Sequence, residues 1–231
     1  MDKKVSDLWD KEWGSNAEET VPHQSEFKPT GDVVRFFDEI DSQKSKGLVL
    51  DIGCGIGRHV VYAAELGYLA IGIDVSIVGL KKCQEYIKDK AYPQHPVLMH
   101  ISATDKLPLL DNSVNIAIDS LTTVGIKGHE NRRFLAQEMH RVLAPKGIAL
   151  VRLVSANDEN EQMLMKTNPG PEKNSSLWPK VDKFQKNFSL EEIEELYSDL
   201  FEIQAEEVHK TAIRRGKTIT ATNWYVKLIK K

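Results

Sequence analysis

The residues with the types and spacing for chemistry are two aspartates and the glycines between them. Asp51 closes the apolar run Leu48-Val49-Leu50 and leads into Ile52-Gly53-Cys54-Gly55-Ile56-Gly57. Asp74 closes a second apolar run, Leu69 to Ile73, seventeen residues after Gly57. Glycines at a strand-to-helix turn adopt positive φ and let a ligand approach the backbone, while the next helix offers N–H groups that lack partners. Spacing separates the ligand classes. A dinucleotide fingerprint needs glycines at the first, third and sixth positions, but the sixth position from Gly53 is Arg58. Asp51 would also repel a pyrophosphate. A cationic ligand removes that conflict.

These residues need a sheet to present them. Short β-branched runs alternate with helix-length amphipathic segments from Gly47 to about Val154, the pattern of βαβ units on a parallel sheet. Strands are predicted at Leu48 to Leu50, Leu69 to Ile73, Val97 to Ile101, Val114 to Ile118 and Ile148 to Val154. Helices are predicted at Arg58 to Leu66, Val78 to Lys90 and Glu130 to Leu143, the last stopped by Ala144-Pro145-Lys146-Gly147. Ahead of the sheet, Val5, Leu8, Trp9 and Trp13 share one face of a short helix, and a second helix covers Asp32 to Ile40. The polar stretch 155–188 reads as a partly helical cap. A helix over Ser189 to Ser198 opens with a capping box, Ser189 with Glu192. Two strands, Phe201 to Val208 and Thr218 to Ile229, then form a hairpin through Arg214-Arg215-Gly216-Lys217.

The acid and glycine pattern resembles the class I S-adenosylmethionine-dependent methyltransferases, whose first motif is an acid followed by G-x-G-x-G, here Asp51, Gly53, Gly55 and Gly57. Arg141-Val142-Leu143-Ala144-Pro145-Lys146-Gly147 is similar to that family's stretch before the fifth strand. The resemblance implies an α/β, Rossmann-like three-layer sandwich with a mostly parallel seven-stranded sheet and an antiparallel last strand. It implies one domain over 1–231, divided into an N-terminal helical lid (1–46), a cofactor-binding core (47–154), a cap insertion (155–188) and a C-terminal helix with β-hairpin (189–231). It also implies S-adenosyl-L-methionine as cofactor, held by Asp51, Gly53, Cys54, Gly55, Gly57, Asp74, Val75 and Asp119. The adenine contact departs from the family pattern. Strict spacing lands on Ala103, the nearby acid is Asp105, and Ala103, Thr104 and Asp105 are the candidates.

Ligands of open parallel sheets bind beyond the carboxyl ends of the strands. That points Asp119-Ser120-Leu121-Thr122-Thr123 at the transferring methyl, with Asp119 and His129 as candidate proton acceptors and loop capping as the alternative for Asp119. Trp9, Trp13, Phe27 and Trp178 fall in the two segments expected to fold over the strand ends, as a water-excluding lid or as packing of the N-terminal helix. His23, His59, His95, His100, His140 and His209 show no metal spacing, so no metal is expected.

Composition narrows the function further. The 231 residues carry a net charge of -3, two cysteines and 41% hydrophobic residues. That balance argues against a nucleic-acid partner. The lack of an apolar span and of a disulfide framework predicts a cytoplasmic chain with no membrane partner. The function expected is in-line methyl transfer to a small-molecule acceptor. The alternative is an RNA or a protein or peptide side chain as acceptor, and a third reading is a non-catalytic S-adenosylmethionine-binding protein.

Overall fold

Strand β1 (Leu48–Ile52) sits in the interior of the sheet, because it is apolar on both faces and requires cover on each. In the computed structural model, residues 3–14, 27–40, 46–179, 183–214 and 217–231 are described. His23 and the Arg215-Gly216 turn lie outside them. Strands β2 (Leu69–Asp74) and β3 (Val97–His100) extend the sheet on one side, and β4 (Val114–Ser120) and β5 (Leu143–Val154) on the other, all parallel. The two long terminal strands, β8 (Phe201–Arg214) and β9 (Lys217–Lys230), complete the order β3-β2-β1-β4-β5-β9-β8, with β9 antiparallel to both neighbours.

Helices cover both faces. Within β1, Val49 packs with α2 (Gly31–Glu39), α3 (Arg58–Glu65) and α4 (Ile77–Ile87), contributing to a core with Phe36, Val60, Ala63 and Leu80. Leu50 and Ile52 point the opposite way, onto α5 (His129–Val142) and α7 (Leu190–Tyr197) through Leu135, Met139, Ile193 and Leu196. The capping box of α7 forms as its sequence predicts, Ser189 and Glu192 each closing on the other's backbone N–H.

The ends of elements differ from the sequence expectation in physically readable ways. β5 begins at Leu143, directly after α5, so Ala144 to Gly147 lies within a strand and not in a separate turn. Lys146 takes φ 60° there, and the pairing of β4 with β5 shifts register between Val114 and Ile116. The Pro-Gly pair ends the helix, and the local irregularity absorbs it. The stretch 155–188 holds α6 (Glu159–Thr167), which was expected in kind, and a small antiparallel hairpin of β6 (Ser175–Trp178) and β7 (Lys183–Lys186), which was not. Its strands are four residues each, too short for a period-2 pattern to stand out among the prolines.

One buried ion pair fastens α2 to the carboxyl side of the sheet. Arg152 of β5 donates from Nε to Asp32 Oδ2 at 2.7 Å and from Nη1 to Ser120 Oγ at 2.9 Å, and Lys210 Nζ donates to Asp32 Oδ1. Asp32 and Arg152 are both buried. Among the described residues no helix is long and apolar enough to cross a membrane.

Candidate functional site

The turn after β1 turns sharply enough that only glycine serves. Gly53 and Gly55 take φ 68° and 57°. A Cβ at Gly53 would run into the Thr122 hydroxyl, and one at Gly55 into the Trp13 ring. The turn is pinned from its neighbour. Gly55 N–H donates to Asp74 Oδ2 at 2.7 Å, and Ser76 N–H donates to Asp74 Oδ1 at 2.7 Å. Asp74, at the carboxyl end of β2, therefore ties two loops together while standing 7% exposed. Burial raises its carboxyl above the usual range, and the two N–H donors hold that rise back.

Asp51 shares the Val49 face of β1, toward α3, and neither of its carboxylate oxygens has a hydrogen-bond partner although it is 1% exposed. His59 Nδ1 lies 3.9 Å from Oδ1. Burial pushes Asp51 well above the usual carboxylate range, with the Asp74 charge adding to it, and burial pushes His59 well below its own. The Arg58 charge offsets only part of this, and a buried carboxylate short of partners is expensive unless a further cation is supplied.

Helix α1 (Lys3–Gly14) lies across this end of the sheet. Asp10 Oδ1 accepts from Ser76 Oγ at 2.6 Å and from Val78 N–H at 3.1 Å, so it helps cap α4. Ser6 Oγ donates to the Val75 carbonyl at 3.0 Å, and Lys82 Nζ donates to the Trp13 carbonyl at 2.5 Å. Trp13 covers Gly55, and Trp9 lies on Gly125 in the 3-10 turn Thr123–Gly125 that follows β4. Phe27 goes elsewhere, stacking on Tyr86 of α4 with ring centroids 3.5 Å apart.

Residues 49–147 match the family described as methyltransferase domain. Those residues hold the glycine turn and both aspartates, in keeping with the resemblance to the class I S-adenosylmethionine-dependent methyltransferases. In sequence it is similar to the malonyl-[acyl-carrier protein] O-methyltransferase of Hamiltonella defensa, 23% identical over 65% of this chain and 51% of that one. It is also similar to the tRNA U34 carboxymethyltransferase of Shewanella putrefaciens, 31% identical over 58% of this chain and 39% of that one. The chain thus spans about half or less of the length of these relatives. In fold it resembles a SAM-dependent methyltransferase from Methanosarcina mazei, TM-score 0.72 at 18% identity, covering 88% of this chain and 98% of that one.

The residues of the methyltransferase domain fit its cofactor. The Asp51 carboxylate offers the site a negative charge for a ligand that carries both an ammonium and a sulfonium, and Gly53 and Gly55 supply the positive φ that shapes the backbone of the turn. Val75 follows Asp74, with its carbonyl held by Ser6 and by His100 Nε2 at 2.9 Å. Cys54 is buried inside the turn, and burial raises its thiol. Ala103, Thr104 and Asp105 form a tight turn just after β3, closed by Asp105 N–H donating to the Ser102 carbonyl at 3.0 Å. Ser102 is buried at the head of that turn and pairs with the Thr104 hydroxyl at 2.8 Å. Ile101 N–H donates to the Asp74 carbonyl, which places this turn beside the acid.

The two acceptor-side candidates land apart. Asp119 shares the Ala117 face of β4, toward α5 and α7, and is fully buried. Oδ1 accepts from the N–H groups of Thr122 (2.8 Å) and Thr123 (3.2 Å), and Oδ2 accepts from the Thr123 hydroxyl at 2.5 Å. Its hydrogen bonds shape the loop that carries the 3-10 turn. His129 is exposed at the start of α5, in a groove with Arg132, Glu172, Lys186 and Phe188. Ser76, Asp10 and Ser102 were missed by sequence reasoning, and Thr122 was named only as part of the stretch 119–123. A hydroxyl or acid two to four residues past a strand is too common to stand out alone.

Burial raises the Asp119 carboxyl to about 6 despite its three donors. A carboxyl raised on folding adds stability below the unfolded value near 4 and loses it as pH climbs through 6, about 3 kcal/mol at ~1.4 kcal/mol per unit. Asp119→Asn keeps an acceptor for both N–H groups and removes the titration. Urea unfolding between pH 4 and 8 should therefore show wild type losing about 3 kcal/mol relative to the variant. Parallel profiles would refute this.

Proposed function

We propose that the chain transfers the methyl group of S-adenosylmethionine to a small-molecule acceptor bound beneath α1. The observation that carries this reading is the roof itself: Trp13 lies on the glycine turn and Trp9 on the 3-10 turn after β4, so one helix covers both the cofactor turn and the ends of the strands beside it. Such cover leaves room for a modest ligand and obstructs a macromolecular one. When bound, S-adenosylmethionine supplies a methyl group already activated by its sulfonium charge.

The chain's own contribution is placement and dryness. Asp74 and the backbone of Gly53 to Gly57 hold the donor side, Asp51 offers the compensating charge, and Trp9 and Trp13 keep water out. Fixing two reactants in line is worth about 7–11 kcal/mol, with no covalent nucleophile required. Asp119 does not serve as proton acceptor in this reading, because both of its oxygens are committed to Thr122 and Thr123. Among the described residues no group of three or more His, Cys, Asp or Glu could hold a metal ion. The proposal places the chain in the cytoplasm, in keeping with Cys54 and Cys83 as free thiols.

The 31% identity to a tRNA carboxymethyltransferase supports a second reading, with RNA as acceptor. Incubating the purified chain with methyl-labelled S-adenosylmethionine and separated metabolite and RNA fractions tests the two. Label in a low-molecular-weight product supports the proposal; label retained only on RNA overturns it.

A further inference from the structure

His59 is the second residue of α3 and is buried between β1 and the start of α2. Thr30, the N-cap residue of α2, donates its backbone N–H to His59 Nε2 at 3.4 Å, and its hydroxyl lies 3.4 Å from the same nitrogen. A backbone N–H can only donate, so Nε2 is the accepting nitrogen and the ring proton sits on Nδ1. Burial pushes His59 well below its ordinary value, with the Arg58 and Arg152 charges adding to it, so the ring carries that one proton and no charge near neutral pH. Nδ1 is the nitrogen that faces Asp51, 3.9 Å from Oδ1. The backbone ahead of α2 thereby decides what the imidazole shows to the buried acid, an N–H and not a bare lone pair.

Burial disfavours the ionised form of Asp51, Asp74 of β2 and Asp119 of β4 add to this, and Arg58 with the Val60 N–H of α3 works against it. Cys54 and Cys83 also lie close, and burial raises both thiols and keeps them neutral. A bare imidazole nitrogen here would repel the carboxylate further. The Nδ1–H meets it instead with the positive end of a dipole. At 3.9 Å the approach is longer than a hydrogen bond, so charge faces dipole while both Asp51 oxygens stay open to a ligand.

We propose that His59 is a positioning residue of the donor site: its Nδ1–H, fixed by the Thr30 backbone, presents the Asp51 carboxylate to the ammonium of S-adenosylmethionine. This rests on the reading of Asp51 as the group that meets the donor's positive charge. His59 touches neither donor nor acceptor and acts through Asp51. A cation binds the ionised carboxylate, so donor affinity is full above the Asp51 value of the free chain and falls as pH drops through it. Removing the Nδ1–H moves that midpoint up. Burial raises the carboxyls of Asp74 and Asp119 as well, but both are the same in every His59 variant, so they shape the profile without displacing it.

Calorimetric titrations of the full chain with S-adenosylhomocysteine, which keeps the ammonium, between pH 5 and 8 test it. His59→Phe should move the affinity midpoint up by about one pH unit, equivalent to about 10-fold weaker binding below the midpoint. His59→Asn, whose amide offers an N–H near the place of Nδ1, should restore most of the loss. A packing role alone would lower the melting temperature of both variants and leave the midpoint where it is, and that result overturns the inference, as does a wild-type affinity that is flat across this range. A second measurement works on the wild-type fold. Nitrogen-edited NMR of the histidine rings, with the His59 signals assigned by their absence from the asparagine variant, should show the proton on Nδ1; a proton on Nε2 overturns the inference. Each of these failures leaves the Asp51 reading standing. Asp51→Asn binding S-adenosylhomocysteine as tightly as wild type overturns both.

Discussion

Asp74→Ala should weaken S-adenosylhomocysteine binding about 100-fold. A hydrogen bond to a charged group contributes ~1.5–3 kcal/mol, and each ~1.4 kcal/mol is a factor of ten. The carboxylate has a further task in the free chain, accepting from Gly55 and Ser76 at 2.7 Å each. Its removal therefore unfastens the glycine turn and, on the reading proposed above, takes away a ligand contact as well. Asp74→Asn, which can accept from one of those N–H groups but not both, should fall between the two. Isothermal titration calorimetry reads the effect directly. Wild-type affinity in the alanine variant would remove Asp74 from the cofactor site.

The second large effect is on stability. Asp32→Ala leaves the Arg152 guanidinium buried, its Nε bond to Asp32 gone and only Ser120 remaining among the partners described above. Breaking a buried pair from one side costs about 3–5 kcal/mol, because the surviving charge is uncompensated. The expected result is a urea midpoint lowered by that equivalent. The double variant Asp32→Leu, Arg152→Met should recover most of it, since replacing both partners by apolar groups is often close to neutral. A single variant as stable as wild type would mean that Lys210 and water already screen the pair.

The core of the fold was legible because parallel strands buried on both faces read as unbroken apolar runs. Leu48–Ile52, Leu69–Asp74 and Val114–Ser120 stand within a residue or two of where the sequence sets them. The glycine turn was legible for a different reason: positive φ at Gly53 and Gly55 is a demand few other residues meet. Long-range partnerships left no such trace. Nothing in the spacing joins Asp10 to Ser76, sixty-six residues apart, or Arg152 to Asp32, because these contacts depend on how α1 and α2 fold back across the sheet. The two roles of Asp119 could not be separated from sequence for the same reason. Its partners are three and four residues away, yet its direction is set by the pleat of β4. The β6–β7 hairpin, with its polar face inward, inverts the usual solvent-facing pattern and so reads as loop.

The position of α1 has a kinetic corollary. The indoles of a single twelve-residue helix rest on both Gly55 of the glycine turn and Gly125 beyond β4, and its Asp10 latches onto the start of α4. On the small-molecule reading proposed above, donor and acceptor then share one door. In that reading, turnover is paced by how often the latch lets go.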